Sequence, residues 1–398
     1  MKTRTHIAIV IPVLIALLAG LAGSAVKVDA AGAPSQEPIR IGTLESVTGP
    51  PAYVGDKMKK GAELAVEEIN NAGGINGRPI EWFFYDPAGD TETAVIQTRR
   101  LIDVNKVDAI VGGGSQSGIA IAMAQIAEET KTIFIATEGA REIVKPSDGK
   151  LRKYVFKATI NDTEIAAKTL EYWKGQGVAK VGFLPDNTGF GQPALQAMEE
   201  QAPDHGITLF VETFDTSVTD LTPQLSKLAQ EKPQAYFAWT ASPAGVVFLK
   251  NAKQLGLSEN AIIQNCFGFA DERFMEQAGD AAIGTFVTAP KLPVYDELAD
   301  SDPVKESAGK FVETYRAKFN EAPNLYAAES YDGIYLVAEA FKRAGSTEPD
   351  AVARELESLK DFSGAQGKFS FSSEKHDGLS ASEAAVMKWD GTRFTFVE

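Results

Sequence analysis

A glycine-rich loop with two serines is the strongest candidate for chemistry in this sequence. Gly112-Gly113-Gly114-Ser115-Gln116-Ser117-Gly118 lies between a predicted strand and a predicted helix that begins near Ile119. In an open α/β sheet, ligands bind beyond the carboxyl ends of the strands, where such a loop lies. Its free amides and the positive end of the helix dipole favour a carboxylate, and Ser115 and Ser117 add hydroxyl donors. The loop predicts an anion site, and a tight glycine turn without a ligand is the alternative.

Enzyme chemistry at this loop is excluded by residue identity. The glycines follow G-x-G-x-x-x-G, whereas a dinucleotide site needs G-x-G-x-x-G and a phosphate loop needs a Gly-Lys-Ser/Thr ending. A nucleophile elbow would need a serine where Gln116 stands. The chain has one cysteine, Cys266, and three histidines, of which only His205 and His376 lie outside the N-terminal region. We therefore expect no enzyme, no metal site and no cofactor.

A second polar loop, Ala136-Thr137-Glu138-Gly139-Ala140, follows the next predicted strand. The Thr137 hydroxyl could donate a hydrogen bond to the same ligand. The Glu138 carboxylate would repel a ligand carboxylate unless it points away or meets a cation on the ligand. We expect Glu138 to be a solvated loop residue.

These loops must be positioned by alternating strands and helices. The first predicted unit is a strand at residues 39–44, a helix at 56–70 and a strand at 80–86. A second series of the same order begins near residue 161, so the sequence predicts two α/β lobes with parallel sheets covered by helices on both faces. Further strands are predicted at residues 109–111, 132–136, 180–184, 207–214, 235–239 and 261–264, and two long helices at 304–319 and 326–344.

Length and charge restrict the class of protein. The 398 residues exceed the roughly 250–300 at which a single core stops growing, which favours two domains. There are 39 Lys+Arg and 54 Asp+Glu, a formal net charge of -15. Nucleic acid and anionic membrane surfaces are not expected partners, because both favour a basic patch.

The N-terminus predicts export. Lys2 and Arg4 precede an apolar run at residues 7–18, and small residues follow up to Ala30. This pattern is typical of a cleaved signal peptide, here residues 1–30. Since no cysteine lies near the cleavage region, we expect a periplasmic protein without a lipid anchor.

Several segments together resemble the type I periplasmic binding proteins of the branched-chain amino acid (Leu/Ile/Val-binding) ABC transporter family. The matching segments are Ile39-Arg40-Ile41-Gly42, Thr48-Gly49-Pro50 to Gly55, residues 61–70, Gly73-Gly74-Ile75-Asn76-Gly77-Arg78-Pro79-Ile80, Gly189-Phe190-Gly191 and Tyr331-Asp332-Gly333. The resemblance implies two Rossmann-like lobes that close on a ligand about three hinge crossovers, near Thr159, Ala289 and Gly364. Lobe 1 would comprise residues 38–159 plus 290–363, and lobe 2 residues 160–289 plus 364–398.

The resemblance also assigns site residues. Relatives hold the carboxylate of an amino acid with the two loops described above, here Ser115 to Gly118 and Thr137 to Ala140. Their second lobe supplies an acid for the ligand ammonium, but Phe267 stands at that position, and Asp271 or Glu272 could replace it. The expected site is Tyr53, Ser115, Gln116, Ser117, Thr137, Glu138, Phe190, Trp239 and Phe267, in which the aromatic residues form an apolar wall.

The function implied is that of a monomeric substrate-binding protein of an ABC importer. It would capture a small carboxylated hydrophobic ligand and deliver it to a permease in the inner membrane. The candidate ligands are branched-chain or other amino acids, and aromatic or keto acids without the ammonium. The alternative is an exported ligand-sensing subunit for a membrane receptor.

Overall fold

The computed structural model describes residues 37–398, so the predicted signal peptide lies outside the described residues. Five parallel strands form the sheet of the first lobe. They are β1 (Ile39–Leu44), β2 (Ile80–Tyr85), β3 (Ala109–Gly112), β4 (Ile133–Ala136) and β5 (Val155–Lys157). Their order across the sheet is β2-β1-β3-β4-β5. Strands β3 and β4 are wholly buried, as expected for a parallel sheet covered on both faces.

The second lobe has a seven-stranded sheet. Its parallel strands are β6 (Lys180–Pro185), β7 (Thr208–Val211), β8 (Ala235–Trp239), β9 (Ile262–Asn265) and β10 (Phe286–Pro290). After a short hairpin of β11 (Phe362–Ser363) and β12 (Lys368–Phe369), two antiparallel strands complete the sheet, β13 (Ala384–Trp389) and β14 (Phe394–Phe396). The order is β14-β13-β10-β9-β8-β6-β7.

Eleven α-helices connect or cover the strands within residues 37–398. They are α1 (Ala52–Asn71), α2 (Thr91–Asp103), α3 (Ser117–Thr130), α4 (Asp162–Gly175), α5 (Gly191–Gln201), α6 (Thr222–Ala229), α7 (Ala244–Gln254), α8 (Glu272–Ala278), α9 (Pro303–Phe319), α10 (Leu325–Ala344) and α11 (Pro349–Ser358). Helix α10 packs along α1, which places this late part of the chain on the first lobe. None of the described helices is both long enough and apolar enough to cross a membrane.

The strand register decides which loops meet. In the first sheet Leu44 pairs with Gly112, and Gly112 pairs with Ala136. The loops that follow β1, β3 and β4 therefore leave the same edge side by side. In the second sheet β8 lies between β6 and β9, so the loops that follow these three strands also form one row.

The two predicted α/β lobes are confirmed, and the differences lie in particular elements. Helix α1 begins at Ala52 rather than 56, because the preceding prolines suit a first turn that needs no amide donors, and so Tyr53 is helical. Strand β7 ends at Val211 rather than 214. Strand β10 had no counterpart in the predicted elements. Its last residue, Pro290, lies beyond Val287, where the pairing with β9 ends. The exact lobe boundaries stay a prediction.

Candidate functional site

Two buried carboxyl groups lie where the loops of the first sheet meet. Glu45, directly after β1, is fully buried. The Ser115 hydroxyl donates to Glu45 Oε2 at 2.8 Å, and Thr137 Oγ1 lies 3.1 Å from Glu45 Oε1. Thr137 Oγ1 is also 3.1 Å from Glu138 Oε1, so one hydroxyl bridges the two acids. Because a hydroxyl has a single proton, it can serve both acids only if one of them is protonated and donates in return.

Glu138 is buried, with 6% of its surface exposed, so the expectation of a solvated residue was wrong. Its carboxylate accepts from the Thr137 amide at 3.2 Å. The space that it occupies exists because Gly113 has no side chain, since a Cβ there would lie 1.6 Å from Glu138 Oε2. The glycine loop therefore accommodates a carboxylate of the protein itself.

Burial and mutual repulsion perturb both acids. Burial, reinforced by the Glu138 charge, raises the pKa of Glu45 well above its usual range. Burial raises the pKa of Glu138 to about 7, against the opposing effect of its hydrogen bonds with Thr137. Both shifts disfavour the state in which the two acids are ionised together.

A buried lysine supports the second loop from behind. Lys157, at the end of β5, is fully buried, and its ammonium donates to the Gly139 carbonyl at 2.5 Å and the Ala140 carbonyl at 3.2 Å. Burial lowers its pKa, and the charges of Asp162 and other acids, Glu138 among them, oppose that shift. Lys157 holds the backbone of the loop that carries Glu138.

Three aromatic rings from the second lobe form one cluster. The ring centroids of Phe190 and Phe267 are 5.3 Å apart, those of Phe190 and Trp239 5.9 Å, and those of Trp239 and Phe267 6.1 Å. Edge-to-face and tilted ring pairs of this kind stabilise a protein by more than the burial of their surface alone. Trp239 is fully buried, and its indole N–H has no hydrogen-bond partner within residues 37–398.

The aromatic cluster touches the first lobe at Gly139. A Cβ at this glycine would lie 2.4 Å from the Phe267 ring and 3.2 Å from the Phe190 ring. Backbone and rings can approach this closely only because the residue has no side chain. The two lobes therefore meet across a closed cleft.

Polar contacts fasten the same two lobes together. The Tyr53 hydroxyl donates to Asp271 at 2.9 Å, and the side-chain amide of Asn324 donates to the same carboxylate at 2.5 Å. Tyr326 donates to the Gly268 carbonyl at 2.7 Å. We call these contacts the clasp. Asp271 also accepts from the Arg273 amide at the start of α8.

The remaining predicted residues have different environments. Gln116 is exposed, and Ser117 is buried as the first residue of α3. Glu272, one of the two acids expected to replace a missing ligand partner, is exposed. Asp271, the other, already accepts hydrogen bonds from Tyr53 and Asn324 in the clasp. A cavity of about 340 Å³ lies at the loop between β6 and α5 and is lined by none of the predicted site residues. Its lining residues are Glu142, Asn187, Thr188, Gly189, Gln192, Pro193 and Gln196.

Sequence reasoning missed Glu45, Lys157 and Asn324. Glu45 directly follows the buried strand β1, at the same sheet edge where Thr137 follows β4. This position could have identified Glu45 as a candidate from the sequence. Lys157 is the last residue of a three-residue strand, which has too little pattern to be recognised. Within residues 37–398, no group of three or more His, Cys, Asp or Glu is arranged to hold a metal ion.

Two α/β lobes that meet at the carboxyl ends of their strands define the type I periplasmic binding protein fold. A family model described as "Periplasmic binding protein" matches residues 38–393, and the chain belongs to this family. The resemblance predicted from the sequence is confirmed.

Curated relatives match most of the chain. It is 27% identical to the leucine-, isoleucine-, valine-, threonine- and alanine-binding protein of Pseudomonas aeruginosa, over 89% of this chain and 91% of that protein. It is 24% identical to Leu/Ile/Val-binding protein homolog 7 of Brucella abortus, over 85% of this chain and 86% of that protein.

Solved structures agree in fold. An extracellular ligand-binding receptor from Rhodopseudomonas palustris has a TM-score of 0.82 and 25% identity, covering 91% of this chain and all (100%) of that one. The branched-chain amino acid transporter substrate-binding protein LivJ of Streptococcus pneumoniae, solved with isoleucine, has a TM-score of 0.76 and 27% identity, covering 90% and 99%.

Proposed function

We propose that this protein is an exported, monomeric substrate-binding protein of an ABC importer. It captures a small organic solute between its lobes in the periplasm and delivers it to a permease in the inner membrane. The observation that carries the proposal is the convergence of both sheet edges on one cleft, with polar loops on one side and the aromatic cluster on the other. Relatives named for the amino acids that they bind support this role.

Hinge closure is the proposed mechanism of capture. Closure brings Tyr53 and Asn324 of the first lobe onto Asp271 of the second, and it brings Phe267 onto Gly139. A ligand shifts a protein toward a closed state only through its better contacts with that state. A solute held by groups of both lobes satisfies this condition.

The ligand has an apolar body. Phe190, Trp239 and Phe267 form one cluster where the second lobe meets Gly139 of the first, and aromatic walls of this kind suit a branched or flat hydrocarbon group. Amino acids with such side chains, and aromatic and keto acids of similar shape, are the ligand classes to test.

The test is a binding panel read by two signals. Trp239 lies within the aromatic cluster, so ligand binding should change the tryptophan fluorescence, and it should raise the melting temperature. Native mass spectrometry of the purified protein would reveal a co-purified solute. Phe267→Ala should weaken binding, whereas Phe396→Ala, a substitution of an exposed residue on β14, should not. If amino acids, aromatic acids and keto acids all leave both signals unchanged, the proposal fails.

A further inference from the structure

We infer that His376 is a pH-sensitive anchor: its neutral side chain fastens a strap that joins the two lobes, and its protonation releases that strap. The strap is residues 370–378, which lie between β12 and β13. The consequence for ligand capture rests on the proposed function, because release of the strap affects binding only if the lobes close on a solute. Acidic conditions should then weaken the closed state.

The strap contacts both lobes through neighbouring residues. The Lys157 amide, at the end of β5 in the first sheet, donates to the His376 carbonyl at 2.9 Å. The Lys375 ammonium donates to Glu164 of α4 at 2.6 Å, and α4 packs on β10 and β13 of the second sheet. Two consecutive residues therefore hold opposite lobes, next to the predicted hinge crossover near Thr159.

The site of the His376 ring suits a neutral imidazole. The residue is fully buried, and its ring stacks on Phe156 with centroids 3.9 Å apart and an interplanar angle of 16°. Its Nδ1 lies 2.9 Å from the Val155 carbonyl, so Nδ1 carries the hydrogen and donates it. The Phe371 ring contacts Phe156 edge-on at 5.6 Å. A positive charge in these apolar surroundings would lose its hydration.

One acid faces the other ring nitrogen. His376 Nε2 has no hydrogen-bond partner within residues 37–398, and it lies 3.5 Å from Glu357 Oε1 of α11. An unprotonated nitrogen and a carboxylate are both acceptors, so they form a bond only when the ring takes up a proton. The Glu357 side chain is 26% exposed, which lets water screen its charge.

The other charged groups around the ring have different partners. Lys157 directs its ammonium to carbonyls of the loop after β4, and the Arg152 guanidinium donates to carbonyls at residues 142–143. The Asp377 carboxylate lies 3.9 Å from the Lys375 ammonium. The Arg152 carbonyl is a further acceptor near the ring. Burial and Glu357 are therefore the main opposing influences on protonation.

The sign of the pH dependence follows from this balance. Burial lowers the pKa of His376, against the opposing effect of the Val155 carbonyl and Glu357. In a released strap the imidazole regains its ordinary pKa of about 6.5. Since the anchored ring binds a proton less readily than the released one, anchoring is complete above about pH 6.5 and is lost as the pH falls below it. At pH 5.5 the equilibrium should shift toward release by up to about tenfold.

Hydrogen–deuterium exchange of the full mature chain at pH 7.5 and pH 5.5 tests the anchor without a ligand. After correction for intrinsic exchange rates, the protection of residues 370–378 and of the Lys157 amide should fall roughly three- to tenfold at pH 5.5. His376→Phe keeps a ring that can stack and cannot titrate, so its protection should be equal at both pH values. His205→Gln changes the other histidine outside the predicted signal peptide and is the matched control, which should behave like the unmodified protein.

Glu357→Gln tests the opposite direction. Removing the acid that faces Nε2 should lower the pKa of His376 further, so the loss of protection between pH 7.5 and pH 5.5 should become larger. A merely structural role of Glu357 would instead reduce protection equally at both pH values. NMR titration of the imidazole Cε1–H groups measures the pKa itself. A His376 that titrates at or above pH 6.5, or equal protection of the unmodified protein at both pH values, would overturn the inference.

The consequence for capture is measured by calorimetric titration with L-leucine, 4-methyl-2-oxopentanoate and benzoate. A compound that binds at pH 7.5 should bind roughly three- to tenfold more weakly at pH 5.5, and His376→Phe should remove that difference. Comparing the two proteins cancels the titration of the compound itself. An equal pH dependence in both would overturn the link between strap and closure. Failure of every compound to bind would overturn the proposed function and this consequence with it, while the exchange measurement would still decide the anchor.

Discussion

Gly139 is the residue at which the closed cleft is most sensitive to substitution. In the Gly139→Ala variant the added methyl would lie 2.4 Å from the Phe267 ring and 3.2 Å from the Phe190 ring. Carbon atoms in contact prefer about 3.5–4.0 Å, so the lobes must separate locally by roughly 1 Å or more. We expect the variant to fold normally and to close poorly.

The size of the effect follows from the clasp. The bond from Tyr53 to Asp271 is 2.9 Å long, and a further ångström would carry it beyond hydrogen-bond distance. A hydrogen bond to a charged group contributes about 1.5–3 kcal/mol. At tenfold per 1.4 kcal/mol, ligand affinity should fall by roughly 10- to 150-fold.

The assay is calorimetric titration with the panel compound that binds the unmodified protein, together with small-angle scattering to follow compaction on ligand addition. Gly175→Ala is the matched control, because a methyl at that exposed glycine, the last residue of α4, would have no atom within 4 Å. Equal affinities for Gly139→Ala and Gly175→Ala would refute the reasoning, since the ring contact would then not form in the bound state.

Three further predictions concern the clasp, the buried lysine and the acid pair. Tyr53→Phe removes only the hydroxyl that donates to Asp271, so ligand affinity should fall by roughly tenfold or more while urea denaturation shows a smaller change; an unchanged affinity would contradict a role in closure. Lys157→Met leaves the Gly139 and Ala140 carbonyls with only long backbone hydrogen bonds of 3.4 and 3.3 Å, so it should lower the free energy of unfolding by roughly 1–3 kcal/mol, against no effect for the exposed Lys150→Met. The pKa of Glu138 is raised to about 7, so the folded protein binds a proton that the unfolded chain releases, and the free energy of unfolding should fall as the pH rises from about 4.3 toward 7. In Glu138→Gln the free energy of unfolding, measured by urea denaturation, should change less between pH 5 and pH 8 than in the unmodified protein. An equal change would show that Glu138 does not titrate in this range.

The fold could be predicted because its signals are local. Buried strands such as Ile39–Leu44 and amphipathic helices such as Ala52–Asn71 are recognisable within a few residues. Phe190, Trp239 and Phe267 were predicted to form one apolar wall, and the structure brings these three rings together. Their contact with a ligand stays a prediction.

The acid pair could not be predicted because it depends on pairing between distant segments. Glu45 and Ser115 meet only because β1 and β3 lie side by side with Leu44 opposite Gly112. The burial of Glu138 likewise depends on the missing side chain of Gly113, which belongs to another loop. No spacing within a single segment encodes either contact.

The antiparallel pairing of β10 with β13 also constrains how the protein is made. Strand β13 joins the sheet of the second lobe only after the ribosome has synthesised α9, α10 and α11, which pack elsewhere. Pairing between segments so distant in sequence is slow to form. Until residues 384–389 are available, β10 lacks its antiparallel partner, so the sheet of the second lobe cannot be completed before nearly the whole chain has been synthesised.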